Sequence, residues 1–213
     1  MAGNFQKWGC VTYDDKPVRV CLMVARNKDN KDVKGFKERR RAFLTTKNRD
    51  ELQNEFDSFV HEGNNKEFCR LYLSVNARDT QKIHKELLKF LIDEPDFNLT
   101  HVQGKLAGIG AKKECALEKK WMFDFDCEDE GKLHEFVEDV TVCGSIVGVG
   151  CCYKTPHGYA VIVSHGFDTR ELMKKWGDIV TLKRDDLLCV DWYDPAYGFK
   201  DYFKERKKNE ETD

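Results

Sequence analysis

The chain has 213 residues, of which 40% are hydrophobic and 35% are charged, and its formal net charge is −2. This composition is that of a globular protein, and the length is sufficient for one domain or two closely packed lobes. It excludes a membrane-spanning protein, since no apolar run approaches the roughly 18 residues of a transmembrane helix, and the N-terminus has no apolar signal-peptide region. We therefore expect a cytoplasmic protein without a membrane partner.

The chain has nine cysteines, an odd number, and no C-x-x-C spacing. This arrangement provides neither a fully paired disulfide framework nor the spacing of a zinc ribbon. Cys143, Cys151 and Cys189 lie in apolar runs that predict strands, where a free cysteine behaves as a small hydrophobic residue. We expect reduced cysteines and no structural zinc.

The first elements are two strands at residues 10–13 and 18–24, joined by a turn at residues 14–17. The polar sequence at residues 28–32 then predicts a mobile loop. Apolar residues at positions 52, 56, 59 and 60 give helical spacing over residues 50–60, and Gly63-Asn64-Asn65 ends this helix.

Charge is distributed unevenly along the chain. Residues 26–49 contain ten Lys or Arg, whereas residues 123–140 contain eight Asp or Glu and only one basic residue, Lys132. A basic flank beside an acidic centre suits a metal-using enzyme that acts on a polyanion, with Arg39, Arg40 and Arg41 as candidate nucleic-acid contacts. An ordinary solvated surface would carry the same charges, so this alternative stays open.

Residues 68–76 predict a strand, and a helix follows from the N-cap Asp79 to about Ile92, before Pro95. Residues 98–114 are compatible with a helix or a loop. No Gly-Lys-Ser/Thr follows the G-I-G of this stretch, so a P-loop is rejected. The side chains that we expect on the inner face of the helix are Ile83, Leu87, Leu88 and Leu91.

The strand at residues 121–126 has two unlike faces, because successive side chains of a strand point to opposite sides. Two carboxylates two positions apart repel each other, so a stretch that only had to form a strand would be expected to carry other residues at these two positions. The pair therefore indicates a site. The apolar face carries Trp121, Phe123 and Phe125, and the other face carries Met122, Asp124 and Asp126.

This strand and the elements predicted after it have the order β-α-β-β-α-β, which is the ferredoxin-like or RNA-recognition-type topology of an α+β fold. Its two helices would cover Phe123 and Phe125 and leave Asp124 and Asp126 on an open sheet face. The almost wholly charged residues 200–213 predict a frayed helix or a disordered tail. The predicted elements after residue 126 begin with a helix over 129–140 and two strands over 143–152 and 159–164, which are joined by a turn at 155–158. A helix with a capping-box-like start follows from Asp168. The last elements are strands over 179–182 and 187–192, which could also be one interrupted strand.

The Cα atoms of Asp124 and Asp126 are expected about 6.6 Å apart, so that both carboxylates could converge on a hard divalent cation. Oxygen-ligated Mg²⁺ shared with substrate phosphates suits such a pair. An amphipathic edge strand with a wet face would show the same pattern.

The β-α-β-β-α-β order is expected to place the hairpin of the strands at 143–152 and 159–164 close to these acids. A hydrogen-bonding turn of this kind could hold a triphosphate bridged by metal, although a solvated hairpin tip has the same composition. Asp191 is a third acid that could complete the metal site or act as a solvated cap at a strand end. The hairpin residues concerned are Lys154, Thr155, His157 and Tyr159.

Three short motifs, taken in order, resemble those of the archaeo-eukaryotic primase superfamily, which includes the primase-polymerases of phages and plasmids. They are Met122-Phe123-Asp124-Phe125-Asp126, Thr155-Pro156-His157 and Val190-Asp191. The resemblance covers about residues 68–192. It implies a two-metal nucleotidyltransferase that uses Mg²⁺ or Mn²⁺, with Asp124, Asp126 and Asp191 holding the ions and the His157 turn holding the phosphates of a nucleoside triphosphate.

The resemblance also implies a domain organisation. Residues 1–118 would be an N-terminal α/β lobe whose basic segment guides a single-stranded nucleic-acid template. Residues 119–199 would be the RNA-recognition-like unit with the acidic motifs, followed by the charged tail at 200–213. The chain lacks a helicase or zinc module, so it would act alone or with replication proteins.

One position departs from the pattern of the family. Many relatives carry a Gly-x-His arrangement in which the histidine directly precedes the apolar residues of the strand, and the matching place in Gly158-Tyr159-Ala160 holds Ala160. Either His157 takes over this role from three residues earlier, or the nucleotide-binding histidine is absent, which would argue against polymerisation.

Two other functions fit the same residues. A non-catalytic module could bind single strands through aromatic residues on the sheet, with Tyr72, Tyr159 and Trp192 as platforms, although an acidic sheet face repels phosphate unless metal neutralises it. A metal-dependent nuclease could use the same carboxylates, because paired aspartates specify a metal rather than a reaction.

Overall fold

The computed structural model of the chain describes residues 17–144 and 151–199. Within these residues the chain forms two antiparallel sheets and five α-helices, which confirms an α+β fold. The predicted strand at 10–13 and the tail at 200–213 lie outside the described residues. In chain order the elements are β1 (Arg19–Ala25), β2 (Arg39–Thr45), α1 (Arg49–Glu62), β3 (Cys69–Ser74), α2 (Thr80–Asp93), α3 (Val102–Gly110), β4 (Trp121–Phe125), α4 (Glu130–Gly144), β5 (Cys151–Thr155), β6 (Gly158–Val163), α5 (Arg170–Trp176), β7 (Val180–Lys183), β8 (Leu187–Asp194) and β9 (Gly198–Phe199).

The first sheet has the strand order β2-β1-β3-β8-β9, and helix α1 packs on one of its faces. The helix begins at a capping box, in which Asn48 and Glu51 each accept a hydrogen bond from the backbone of the other. Its predicted apolar stripe, which includes Leu52 and Phe56, is fully buried against the sheet. The prediction of this helix from its spacing is confirmed.

The second sheet has the strand order β5-β6-β4-β7. Phe123 and Phe125 of β4 are completely buried against Phe136 of α4 and Trp176 of α5. An ion pair between Lys175 and Asp139 joins the same two helices at 2.8 Å. The helices therefore cover the apolar face of β4, as the alternation of the sequence predicted.

The opposite face of the second sheet is covered in part by the first sheet, so the expectation of an open face is wrong. Met122 and Ala160 on this face are buried in a cluster with Val75 and Leu188 from the chain segments of the first sheet. Their burial is favoured because apolar area is removed from water on both sides. The acidic face of β4 consequently borders a contact between the two sheets.

A buried polar connection links the two sheets at one end. Asp185, in the turn between β7 and β8, accepts two hydrogen bonds from Arg78 at 2.8 and 3.0 Å and one from Asn76 at 3.0 Å. Asn76 also exchanges two hydrogen bonds with the backbone of Lys120, just before β4. The start of β4 and the end of β7 are thus both attached to the segment that follows β3.

Three predicted elements need correction. Cys143 belongs to α4, which runs on to Gly144, because the helical hydrogen bonding continues past Val140. Residues 187–199 form strands of the first sheet rather than of the unit proposed at 119–199, since β8 pairs with β3. Leu88 is 62% exposed, because α2 contacts α3 through the side that carries Ile83 and Leu87.

Other local predictions are confirmed or completed. Asp79 caps α2 by accepting hydrogen bonds from two backbone amides of its first turn. The stretch left open at 98–114 contains α3. Helix α5 begins without the expected capping box, because Asp168 accepts from the amide of Arg170 instead. No helix among the described residues is long and apolar enough to cross a bilayer, and the cysteines described there are free thiols.

Candidate functional site between the two sheets

Asp124 lies on β4, an inner strand of the second sheet, on the face that borders the first sheet. Its side chain is 28% exposed and forms an ion pair with Lys183 of β7 at 2.9 Å. Lys183 also lies 3.6 Å from Asp186. Burial alone would lower the pKa of Lys183, but the hydrogen bond and charge of Asp124, together with Asp186, outweigh burial and raise it. A positive charge is therefore stabilised beside Asp124.

Asp126 lies one residue beyond the end of β4 and is exposed. Its amide donates to the carbonyl of Ile179 at 2.8 Å, which continues the alignment of β4 with β7. Alternation along this extended backbone places Asp126 on the same face as Asp124. The two acids thus share a face, with Asp126 at its more solvated end.

The β5–β6 hairpin turn lies directly beside Asp126. A Cβ atom at Gly158 would be 2.0 Å from the carbonyl oxygen of Phe125 and 2.9 Å from the amide nitrogen of Cys127, the two neighbours of Asp126. Only glycine permits this close approach. The predicted proximity of the hairpin to β4 is confirmed at this position.

His157 in this turn contacts the first sheet. Its Nε2 atom is 3.1 Å from Nη2 of Arg70 on β3. A guanidinium can only donate, so Nε2 accepts this bond and the ring proton of neutral His157 is on Nδ1. Arg70 is 6% exposed and is held by two hydrogen bonds of 3.0 Å to Asp29. The turn is thereby fixed against the first sheet.

The other hairpin residues differ in their surroundings. Lys154 lies 4.4 Å from the ring centre of Tyr159 and 3.7 Å from a carboxylate oxygen of Glu128, and Thr155 ends β5 opposite Gly158. Tyr159 is 9% exposed and belongs to the core under the helices. It pairs with Phe125 and so shares the apolar face of that residue, which argues against its predicted contact with a nucleotide.

Ala160 lies directly opposite Asp124 in the β4–β6 pairing. Side chains at such positions are neighbours on one face, with Cβ atoms about 4.5–5.5 Å apart. A histidine at this position would reach Asp124, but the small side chain of Ala160 is 1% exposed and fits the apolar contact between the sheets. Ala160 therefore lies at the centre of the candidate site.

Asp191 does not join the other two acids. It lies on β8 opposite Leu71, which packs toward α1, and it is 2% exposed. Its carboxylate accepts hydrogen bonds from Arg49, the first residue of α1, at 2.8 and 3.2 Å, and from the amide of Trp192 at 2.8 Å. Among the described residues no group of three His, Cys, Asp or Glu is arranged to hold a metal. The prediction that Asp191 completes such a group is not supported by this geometry.

The three arginines of β2 divide between two surroundings. Arg39 donates to Glu67 and stacks 4.5 Å from the ring centre of Phe59, and Arg41 pairs with Glu62 at 2.6 Å. Arg40 is exposed. Two of the three predicted nucleic-acid contacts thus hold β2 to α1 and its neighbourhood.

Several charged residues at this site were missed in the sequence. Burial would raise the pKa of Asp29, but hydrogen bonds from Arg26 and Arg70 outweigh burial and lower it. Burial raises the pKa of the Cys189 thiol on β8 to about 12, although the charge of Arg70 lowers it; the charge of Asp191 and, less strongly, that of Asp124 raise it. The sequence does carry a sign of the role of Arg70, because a charged residue inside the apolar run of β3 is expected to have a buried partner.

A cavity of about 410 Å³ lies elsewhere, between α2 and α3. None of the predicted site residues is among the described residues that line it. Its lining residues are Glu86, Lys89, Phe90, Asp93, Gly104, Lys105, Gly108, Ile109 and Lys112.

Comparison of the chain with protein families, with curated proteins and with solved structures gives no significant match in any of the three.

Proposed function

We propose that the protein is a metal-dependent nucleotidyltransferase of the primase-polymerase kind, which joins nucleotides on a single-stranded nucleic-acid template. The observation that carries this proposal is the position of Asp124 and Asp126. Asp124 lies on an inner strand at the border between two sheets, Asp126 directly follows the end of this strand, and the hairpin turn is seated against the backbone on both sides of Asp126.

The topology of the second sheet supports the proposal. Strands β4 to β7 follow the order β-α-β-β-α-β and lie in the spatial order β5-β6-β4-β7, with every pairing antiparallel. Such an arrangement agrees with an RNA-recognition-type unit, in which the first strand lies inside the sheet. This unit would present Asp124 and Asp126 toward the first sheet.

The residues fit Mg²⁺ or Mn²⁺. Mg²⁺ is commonly bound by only one or two carboxylates together with substrate phosphates and water, so Asp124 and Asp126 suffice without Asp191. The ammonium group of Lys183 lies 2.9 Å from Asp124, where positive charge is already stabilised. When bound, the ion would polarise the reacting phosphate and neutralise its charge.

The chain's own groups would position the substrate. Lys154 and Thr155 flank the turn and could donate to the triphosphate, while Arg70 holds the turn in place through His157. Because Ala160 stands at the expected histidine position, phosphate binding would depend on this turn and its neighbours.

The test is primer extension and de novo synthesis with Mg²⁺ or Mn²⁺, a single-stranded template and labelled nucleoside triphosphates. We expect product from the native protein and from the exposed-surface control Asp178→Asn, and none from the double variant Asp124→Asn/Asp126→Asn. Product that persists in the double variant would refute the metal assignment.

A second candidate is a non-catalytic module that binds single strands. It is favoured by Ala160 and by the ion pair of Lys183 with Asp124, which neutralises one acid without metal. Tyr159 and Trp192 are buried, so these two aromatic residues provide no stacking platform. Binding in the presence of EDTA without synthesis would favour this module, and shortening of the oligonucleotide would indicate a nuclease.

A further inference from the structure

The segment between β1 and β2, in which the sequence predicts a mobile loop at residues 28–32, is regularly folded. Three successive backbone hydrogen bonds each span three residues: Asn30 donates to Asn27 at 3.3 Å, Val33 to Asn30 at 3.2 Å, and Phe36 to Val33 at 3.1 Å. The segment is therefore a chain of consecutive turns with a period of three residues.

This period separates the side chains into two sets. Asn30 is buried and Val33 and Phe36 are partly buried, so one position of each turn faces the protein. The position directly after each of these three residues carries an exposed lysine, and Lys28, three residues before the first of these lysines, is also exposed. We call this set the lysine ridge; it consists of Lys28, Lys31, Lys34 and Lys37.

The positive charge of the lysine ridge is not neutralised by its own segment. Asp29 is engaged by Arg26 at 2.8 Å and by Arg70 at 3.0 Å, and Glu38 accepts from the backbone of Asn27. Among the ion pairs formed between described residues, none includes a lysine of the ridge. Four ammonium groups are thus exposed to water. Apart from Asp29 and Glu38, the segment has one further acid, the exposed Asp32.

The ridge is fixed to the first sheet by buried contacts. Asn30 is 4% exposed, donates to the carbonyls of Arg26 and Phe68 at 3.0 and 3.1 Å, and accepts from the amide of Phe68 at 2.6 Å. Groups held in place before binding lose less conformational freedom when a ligand arrives. The backbone that carries the lysines is therefore held in place before a ligand binds.

The ridge is also connected to the candidate site. Asp29, within the segment, binds Arg70, and the same guanidinium contacts His157 of the hairpin turn at 3.1 Å. One arginine therefore connects the segment that carries the ridge to the turn beside Asp126.

We propose that the lysine ridge binds the phosphate backbone of a nucleic-acid strand, independently of base sequence, and directs it to the hairpin turn. Lysine contacts phosphate as a point charge, and the described segment has no exposed aromatic side chain on which a base could stack. The direction of the strand toward the turn rests on the proposed function, whereas the binding itself does not.

The test measures binding of a labelled mixed-sequence single-stranded oligonucleotide to the whole chain in EDTA, over a series of salt concentrations. The variant changes Lys28, Lys31, Lys34 and Lys37 together to Gln. Release of counterions gives a slope of about 0.7 per phosphate contact for single strands, so four contacts lower the slope of log affinity against log salt by about 2.8. Affinity at about 0.1 M salt should fall on the order of 10²- to 10³-fold.

A control variant makes the same change of charge on exposed lysines that are spread over other elements. If both variants lose the same slope, only net charge matters and the ridge proposal is overturned; an unchanged slope in the ridge variant overturns it as well. The double variant Asp124→Asn/Asp126→Asn should retain ridge-dependent binding in EDTA, so failure of synthesis and failure of binding are read separately. The control lysines are Lys85, Lys113, Lys119 and Lys132.

Discussion

The contact between Asp185 and Arg78 provides a quantitative test of what holds the two sheets together. The two side chains are 7% and 1% exposed, and Asp185→Ala would leave the guanidinium buried without its carboxylate. Removing one partner of a buried ion pair costs about 3–5 kcal/mol. With a urea m-value of about 2 kcal/mol/M, a loss of about 4 kcal/mol lowers the midpoint of urea unfolding by about 2 M.

The measurement is urea unfolding followed by circular dichroism at pH 7. The exposed control Asp178→Asn should change the free energy of unfolding by less than about 0.5 kcal/mol. The double variant Arg78→Met/Asp185→Leu removes both charges and should regain most of the lost stability, because the cost arises from the unpaired charge. A loss below about 1 kcal/mol in Asp185→Ala, or no recovery in the double variant, would refute this reasoning.

The remaining predictions concern the site and its supporting helices. Gly158→Ala places a Cβ atom 2.0 Å from a backbone oxygen of β4, so we expect a displaced hairpin, a loss of about 1–3 kcal/mol in urea unfolding and reduced extension; unchanged stability would contradict the close approach. Lys183→Met removes an ammonium group that competes with metal at Asp124, so Mn²⁺ should bind more tightly, by up to about fivefold, when binding is measured by calorimetry. This factor corresponds to the loss of a partly exposed ion pair of about 1 kcal/mol. Weaker binding would count against the site. Hydrogen bonds from Lys175 and then Trp176 lower the pKa of Asp139, so its stabilising effect is present above its unfolded pKa and is lost as the pH falls through the folded value. The difference in Tm between the native protein and Asp139→Asn should accordingly be greatest near pH 7 and disappear at acid pH below the folded pKa of Asp139, whereas a difference independent of pH would exclude this origin.

Local patterns predicted the parts of the fold that depend on neighbouring residues. Alternation in β4 correctly assigned Phe123 and Phe125 to the helices and Asp124 to the other face. The cap of α2 by Asp79 also followed from the sequence, because a side chain and an amide three residues later determine it. The same logic placed the hairpin turn near the acids, since a β-α-β-β order constrains which strands are adjacent.

The parts that failed depend on pairing across long distances in the chain. The apolar residues around Asp191 fit a strand in either sheet, and only the pairing of β8 with β3 decides that this acid meets Arg49. Tyr159 was assigned to the site although a shift of one residue moves a side chain to the opposite face, and its register with Phe125 makes it core. The anchoring of Asn30 to Phe68 likewise joins residues that no short pattern relates.

The return of β8 to the first sheet has a consequence for synthesis on the ribosome. Strands β3 and β8 are hydrogen-bonded neighbours, yet the entire second sheet with α4 and α5 is translated between them. Until β8 emerges, β3 has an unpaired edge that is open to wrong partners. The sheet made first is therefore finished last, and nascent chains released before Leu187 should be prone to aggregate rather than persist as a folded N-terminal half.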